Sequence, residues 1–257
     1  MPRSLRSLLQ GRGEPCNSGI IGVLIRLLKV DPSTKVAYLC DSRVQHVAKM
    51  RREGSFCGYR NLQMLISYII LAQAPGAQLF AETYPTILQL QDLIENAWDL
   101  GHNPHGRLET GGIKGTRKFI GTPEAQALFS GLGIRCFTQA FRNEEPGRAA
   151  SMMLNAVLKY FNQTSEMDNS QGVYRTKAAP IYFQHQGHSM TIVGVEIKQD
   201  GVQSLLVFNP AHRDASVLKA LVGATGRRLP TTTSRLLRPY RCTFKYLSKY
   251  TEFELLL

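Results

Sequence analysis

GSFCGYRNLQMLISYII, residues 54–70, reads as a tight turn followed by a long apolar helix, with a cysteine at the junction. No charged residue falls between Arg60 and Glu82, a length that could span a bilayer on paper. Asn61, Gln63, Ser67, Gln73 and Gln78 lie within it, and Pro75-Gly76 breaks it. The stretch therefore predicts a buried core helix that begins near Cys57 and ends near Ala74, with no membrane partner. A helix start carries unpaired N–H groups and partial positive charge, which stabilise a thiolate. Taken alone, a cysteine in such a place is more often a small buried hydrophobe than a nucleophile.

Outward from that helix the chain alternates between clear elements and loops. Upstream, Ile20 to Val30 predicts a helix, Lys35 to Cys40 a strand and Asp41 to Arg52 a second helix, while residues 1–17 read as a flexible leader ahead of a domain over 18–257. Downstream, Ile87 to Trp98 shows one apolar helical face, with Asp92, Glu95 and Asp99 as an acidic outer face. A glycine-rich loop, a helix over Pro123 to Leu132, a strand over Ile134 to Phe141 and a helix over Ala149 to Phe161 follow. Residues 163–179 are polar and predict a loop. Strands over Ile181 to His185, Ser189 to Ile197 and Ser204 to Phe208 come next, the last two joined by the turn signal Gln199-Asp200-Gly201. Arg241 to Leu247 predicts a closing strand. Helices precede sheet, so the class is α+β.

The 257 residues carry a net charge of +12, with 43% hydrophobic and 19% charged residues, a globular composition. Five cysteines without a CxxC pair argue against structural zinc and for free thiols in a reducing compartment, cytoplasm or nucleus. No cofactor motif or metal-ligand spacing is present.

A nucleophilic cysteine needs a base, and His188 heads an apolar strand far downstream of Cys57, as the base does in papain-type enzymes. The base needs an orienting group. A hairpin centred near residue 199 places Asn209 across the ladder from His188 within about one residue of register, and a one-residue slip would turn it to the other face. A strand-edge histidine and a plain Asn-Pro turn are the alternatives.

GSFCGYRNLQML, PIYFQHQGHSMTIVGVE and LLVFNP together resemble the ZUFSP and UFSP cysteine peptidases, most closely the ubiquitin-specific ZUFSP branch. AWDLGHNPHG and GTRKFIGTPEAQALF are similar in the same order, so the likeness runs from about Gly19 to Val222. It implies a papain-like fold, with Cys57 as nucleophile, His188 as base and then acid, and Asn209 as third member. It further implies Gln184 as oxyanion donor and Glu124 as a ubiquitin contact. The implied activity is thiol-dependent hydrolysis of the isopeptide bond after ubiquitin's C-terminal glycine, in ubiquitin or polyubiquitin, by a short form without zinc fingers. Gly187 would line the narrow cleft for the Gly-Gly tail. Three positions depart from the family. Asn209 replaces the usual aspartate, with Asp214 in reserve, Ser55 replaces a tryptophan and Asn103 replaces an acidic contact. Action on another ubiquitin-fold modifier, or ubiquitin binding with little or no catalysis, are the rival readings.

Arg227, Arg228, Arg235, Arg238, Arg241, Lys245 and Lys249 interleave with Tyr240, Phe244, Tyr246 and Tyr250 near the C-terminus. This pattern suits either weak nucleic-acid binding or a solvated basic rim.

Overall fold

The computed structural model describes residues 1–11, 13–163, 172–224, 229 and 232–257. In chain order the helices are α1 (Arg3–Gln10), α2 (Ile20–Val30), α3 (Cys57–Ala72), α4 (Ile87–Asp99), α5 (His105–Thr110), α6 (Thr122–Gly131), α7 (Arg148–Gln163), α8 (Ser216–Lys219), α9 (Thr233–Leu237) and α10 (Phe244–Leu247). The strands are β1 (Cys16–Asn17), β2 (Thr34–Leu39), β3 (His46–Val47), β4 (Thr138–Arg142), β5 (Val173–Arg175), β6 (Ile181–His185), β7 (His188–Lys198), β8 (Gln203–Phe208), β9 (Arg241–Thr243) and β10 (Glu252–Leu256).

The main sheet runs β4-β10-β6-β7-β2-β5, with β8 added beside β7 and β9 beside β8, and every pairing except β2 with β5 is antiparallel. β7 organises it. Its first half pairs with β6 and its second half with β2 along one edge, while β8 runs along the other. Residues 189–196 of β7 are all buried, which accounts for the largely apolar run from Met190 to Val195. One apolar core packs α2 and α7 on this sheet, and a second joins α3, α4 and α6. α3 is buried on nearly all sides, polar residues included, so it is the wall shared by the helical half and the sheet.

Four expectations need correction. Residues 3–10, read as part of a flexible leader, form α1, because Leu5 and Leu9 at helical spacing bury one face in the α3–α4–α6 core. The helix expected over Asp41 to Arg52 is absent. The amides of Cys40, Asp41, Gln45, Ala48 and Lys49 instead donate to Val193, Ala178, Ser67, Pro15 and Pro210, so tertiary partners displace the helical ladder. The closing strand lies over Glu252–Leu256 between β4 and β6, while Arg241–Leu247 splits into β9 and α10 where Thr243 caps the helix. Within the polar loop expected over 163–179, β5 pairs parallel with β2, and 164–171 lie outside the described residues. No helix among the described residues is long and apolar enough to cross a membrane.

Candidate active site

Each residue of Cys57-Gly58-Tyr59-Arg60-Asn61 fixes the start of α3 to a different neighbour. A Cβ on Gly58 would stand 2.6 Å from the Ile120 carbonyl and 3.0 Å from the Tyr182 hydroxyl, so only glycine permits this approach. Tyr59 donates to the Lys118 carbonyl and accepts from Gln91, both at 3.4 Å. The Arg60 guanidinium is buried against Glu53, with bonds of 2.8 and 3.0 Å, and against Glu14 at 3.3 Å. Asn61 donates to Ser189 Oγ at 2.9 Å and accepts from Thr191 Oγ1 at 3.0 Å, locking α3 to β7 one turn beyond Cys57.

His188 opens β7 directly after a two-residue turn, paired with His185. Its Nε2 donates to Asn209 Oδ1 at 3.0 Å. That bond assigns the proton to Nε2 and leaves Nδ1 as the other polar atom of the ring. The register is set by a bulge at Val193: Gly194 pairs with Leu206, but Ile192 pairs with Val207 and Thr191 with Phe208. One step further Asn209 lies level with Met190, two residues from His188 and on the same face. Asn209 Oδ1 also accepts from Ala211 N at 2.9 Å, which holds the amide in place.

The half-buried Cys57 thiol faces His188 and Ser189. Burial would raise its pKa, but hydrogen bonding from His188 and Ser189 and the His188 charge outweigh burial and lower it to about 6. Cys16, Cys40, Cys136 and Cys242 are all shifted the other way by burial.

Gln184 stands on β6 with its amide against Gly121, where a Cβ would meet Nε2 at 3.0 Å. Its Oε1, Tyr182 Oη and Thr122 Oγ1 are buried with no hydrogen-bond partner. Glu124 accepts from the Gly121 amide at 2.7 Å, which caps α6 and fixes the glycine that makes room for Gln184. Gly187, expected on the cleft wall, stands directly before His188. It is exposed, takes φ +79° in the turn before His188, and a Cβ there would meet nothing within 4 Å. The turn explains this glycine.

Asp214, the reserve candidate, serves another pair. It binds His46 Nδ1 at 2.7 Å, Asn17 Nδ2 at 2.8 Å and the Tyr240 hydroxyl. His46 Nε2 reaches the Asn209 carbonyl at 3.1 Å. The buried His46 ring thus bridges the Asp214 carboxylate and the Asn209 backbone carbonyl. The sequence reading missed His46, Ser189, Asn61 and Gly121. The first had no signal in the sequence, whereas Ser189 follows His188 by one position and Asn61 follows Cys57 by four.

Glu95, expected on an outer face, is buried. It accepts from the Ile113 and Lys114 amides and from Arg107, holding the loop after α5. The basic C-terminal stretch is partly turned inward in its described part. Tyr240 is buried, Arg241 pairs internally with Asp31 and Glu196, and Tyr246 bonds His185. Arg227 and Arg228 lie outside the described residues. Among the described residues no three His, Cys, Asp or Glu side chains are placed to hold a metal ion.

The profile of peptidase family C78 matches residues 33–256. The chain is 32% identical over 212 residues to zinc finger-containing ubiquitin peptidase 1 of Mus musculus and, equally, to that of Homo sapiens. Each match takes in 81% of this chain and only 36% of the relative. Ubiquitin carboxyl-terminal hydrolase mug105 of Schizosaccharomyces pombe is 30% identical over 171 residues, 65% of this chain and 63% of that protein. Among solved structures, the crystal structure of UfSP from C. elegans aligns with a TM-score of 0.56 at 13% identity, covering 96% of this chain and 37% of that one. The α+β, papain-like fold expected from the sequence is the fold observed.

Proposed function

We propose, since the chain belongs to peptidase family C78, that it is a deubiquitinase acting on the isopeptide bond after ubiquitin's C-terminal glycine, in polyubiquitin among its conjugates. The Cys57 thiolate attacks the glycine carbonyl. Gln184 faces the developing oxyanion with its amide N–H2, a donor whose loss typically costs about 10²–10³ in rate. His188, held by Asn209, protonates the leaving lysine amine, and water activated by the same ring then releases ubiquitin from the thioester.

The observation that carries this reading is the Cys57 thiol drawn down to about 6 by a histidine that is itself tied to Asn209. The substrate half rests on the ubiquitin peptidase relatives. Fluorogenic C-terminal amides of ubiquitin and of a second ubiquitin-fold modifier test it side by side. Turnover of the ubiquitin amide, lost in Cys57→Ala, is expected. Turnover of the other modifier alone would transfer the same chemistry to that substrate, and ubiquitin binding without turnover would leave a binding module.

A further inference from the structure

The loop over residues 117–121 runs past the nucleophile and links two ends of opposite charge. At one end Arg117 Nη2 lies 2.9 Å from a Cβ placed on Gly54, in its middle Ile120 packs on Gly58, and at the far end Gly121 backs Gln184. Around the first end stand Lys49, Arg51, Arg52, Arg117 and Arg213. Arg51 and Arg52 are exposed at the tip of the turn closed by Glu53 N to the Met50 carbonyl, and Arg117 and Arg213 are exposed too. Lys49 Nζ caps the Gly54 carbonyl at 3.1 Å, its amide donates to the Pro210 carbonyl at 2.7 Å, and Arg213 reaches the Lys49 carbonyl at 3.4 Å. These bonds tie the basic loops to Asn209-Pro210 and to the turn before Cys57.

None of the five cations has an ion-pair partner among the described residues. The nearby acids are spent inside: Glu53 and Glu14 pair with Arg60, and Asp214 pairs with His46. Arg51, Arg52, Arg117 and Arg213 thus face solvent, with Lys49 half-buried among them, on loops adjoining the turn before Cys57 and Asn209-Pro210. The Gln184 end is the reverse. Glu252 and Glu254 outnumber the one lysine, Lys249, in a 460 Å³ cavity shared with Gln184 and Tyr250, and Glu124 stands behind Gly121. Ubiquitin's basic face is matched by that acidic end, which leaves the basic end to the other half of the substrate.

We propose that the rim of Lys49, Arg51, Arg52, Arg117 and Arg213 receives an acidic polypeptide segment around the lysine that leaves, an inference that rests on the deubiquitinase reading for its place in the reaction. The rim lies within a few residues of Cys57 and Asn209, so what it binds is part of the substrate rather than a distant tether. Opposite charges at the two ends of one cleft would also fix the direction in which a conjugate is threaded.

The test has two arms. Fluorescein-labelled peptides with one central lysine and either acidic or basic flanks are titrated by anisotropy against the Cys57→Ala protein. The acidic peptide should bind at least about tenfold more tightly, weaken with salt, and lose about tenfold in Arg51→Glu/Arg52→Glu and in Arg117→Glu. The same peptides joined through the lysine to ubiquitin are then offered to the wild-type protein. The acidic conjugate should show a higher kcat/KM, with the preference erased in the charge-reversed variants. Equal affinity for acidic and basic peptides overturns the proposal, as does a single-stranded oligonucleotide that binds the rim and displaces the acidic peptide. Rim-dependent binding of the acidic peptide with no cleavage of any ubiquitin conjugate upholds the surface and removes the deubiquitinase reading.

Discussion

Cys57 differs from the other four cysteines by its neighbours rather than by its exposure alone. Burial acts on all five thiols, and only at Cys57 do a histidine and Ser189 reverse its effect. A lowered pKa means that the thiolate forms as pH rises through the value near 6. Alkylation of Cys57 by iodoacetamide should therefore climb to a plateau above that value, while an ordinary thiol keeps accelerating toward pH 9. In His188→Ala the midpoint should move upward, and mass spectrometry of the labelled peptide reads both. Asn209 acts through His188. Losing a hydrogen bond to a charged group costs roughly 1.5–3 kcal/mol, so Asn209→Ala should lower kcat/KM by about 10- to 100-fold. A wild-type rate in that variant would show that Asn209 does not orient the ring. Strand and turn patterns in the sequence placed His188 and Asn209 near one another, and the family resemblance singled them out with Cys57 as candidates. His46 was not legible, since nothing local marks a histidine that holds a backbone carbonyl from a distant turn.

At the scale of elements, the junction of α3 with β7 is what brings the thiol to the ring. Asn61 makes two bonds to β7, and Arg60 buries its guanidinium against Glu53 and Glu14 on the other flank. Removing one partner of a buried ion pair strands the remaining charges. Arg60→Leu should cost about 3–5 kcal/mol in urea unfolding, far more than loss of an exposed arginine. An unchanged midpoint would mean that the network contributes nothing. α3 and α2 were legible from apolar periodicity, and α2 keeps its expected ends at Ile20 and Val30. Residues 41–52 were not, because their amides find partners on four other segments that no local pattern announces. The His188–Asn209 register was legible only approximately, since the bulge at Val193 adds a residue that turn geometry alone does not count.

Over the whole molecule, acid should unfold the protein through a small set of carboxylates. Burial alone would raise Asp31, Asp41, Glu95 and Asp214. Hydrogen bonds from Ser33, Arg43, backbone amides and His46 respectively lead the opposing effects and hold all four below their ordinary values. The unfolded chain then binds protons more readily than the folded one, so these groups stabilise the fold above about pH 4 and lose that contribution as pH falls further. Urea midpoints should drop steeply below that pH, and Asp31→Asn should flatten the slope. A midpoint constant across that range would contradict the assignment. Global charge had a different fate from the one its sequence position suggested. The C-terminal cluster is partly folded inward through Arg241, Tyr240 and Tyr246, whereas the unbalanced cations gather beside Cys57 from three separate loops.

The most direct test is peptide mapping after reaction with a ubiquitin bearing a C-terminal electrophile. One adduct on Cys57 is predicted for the wild type, none for Cys57→Ala, and slower capture for His188→Ala. An adduct on another cysteine, or one that persists in Cys57→Ala, would contradict the account.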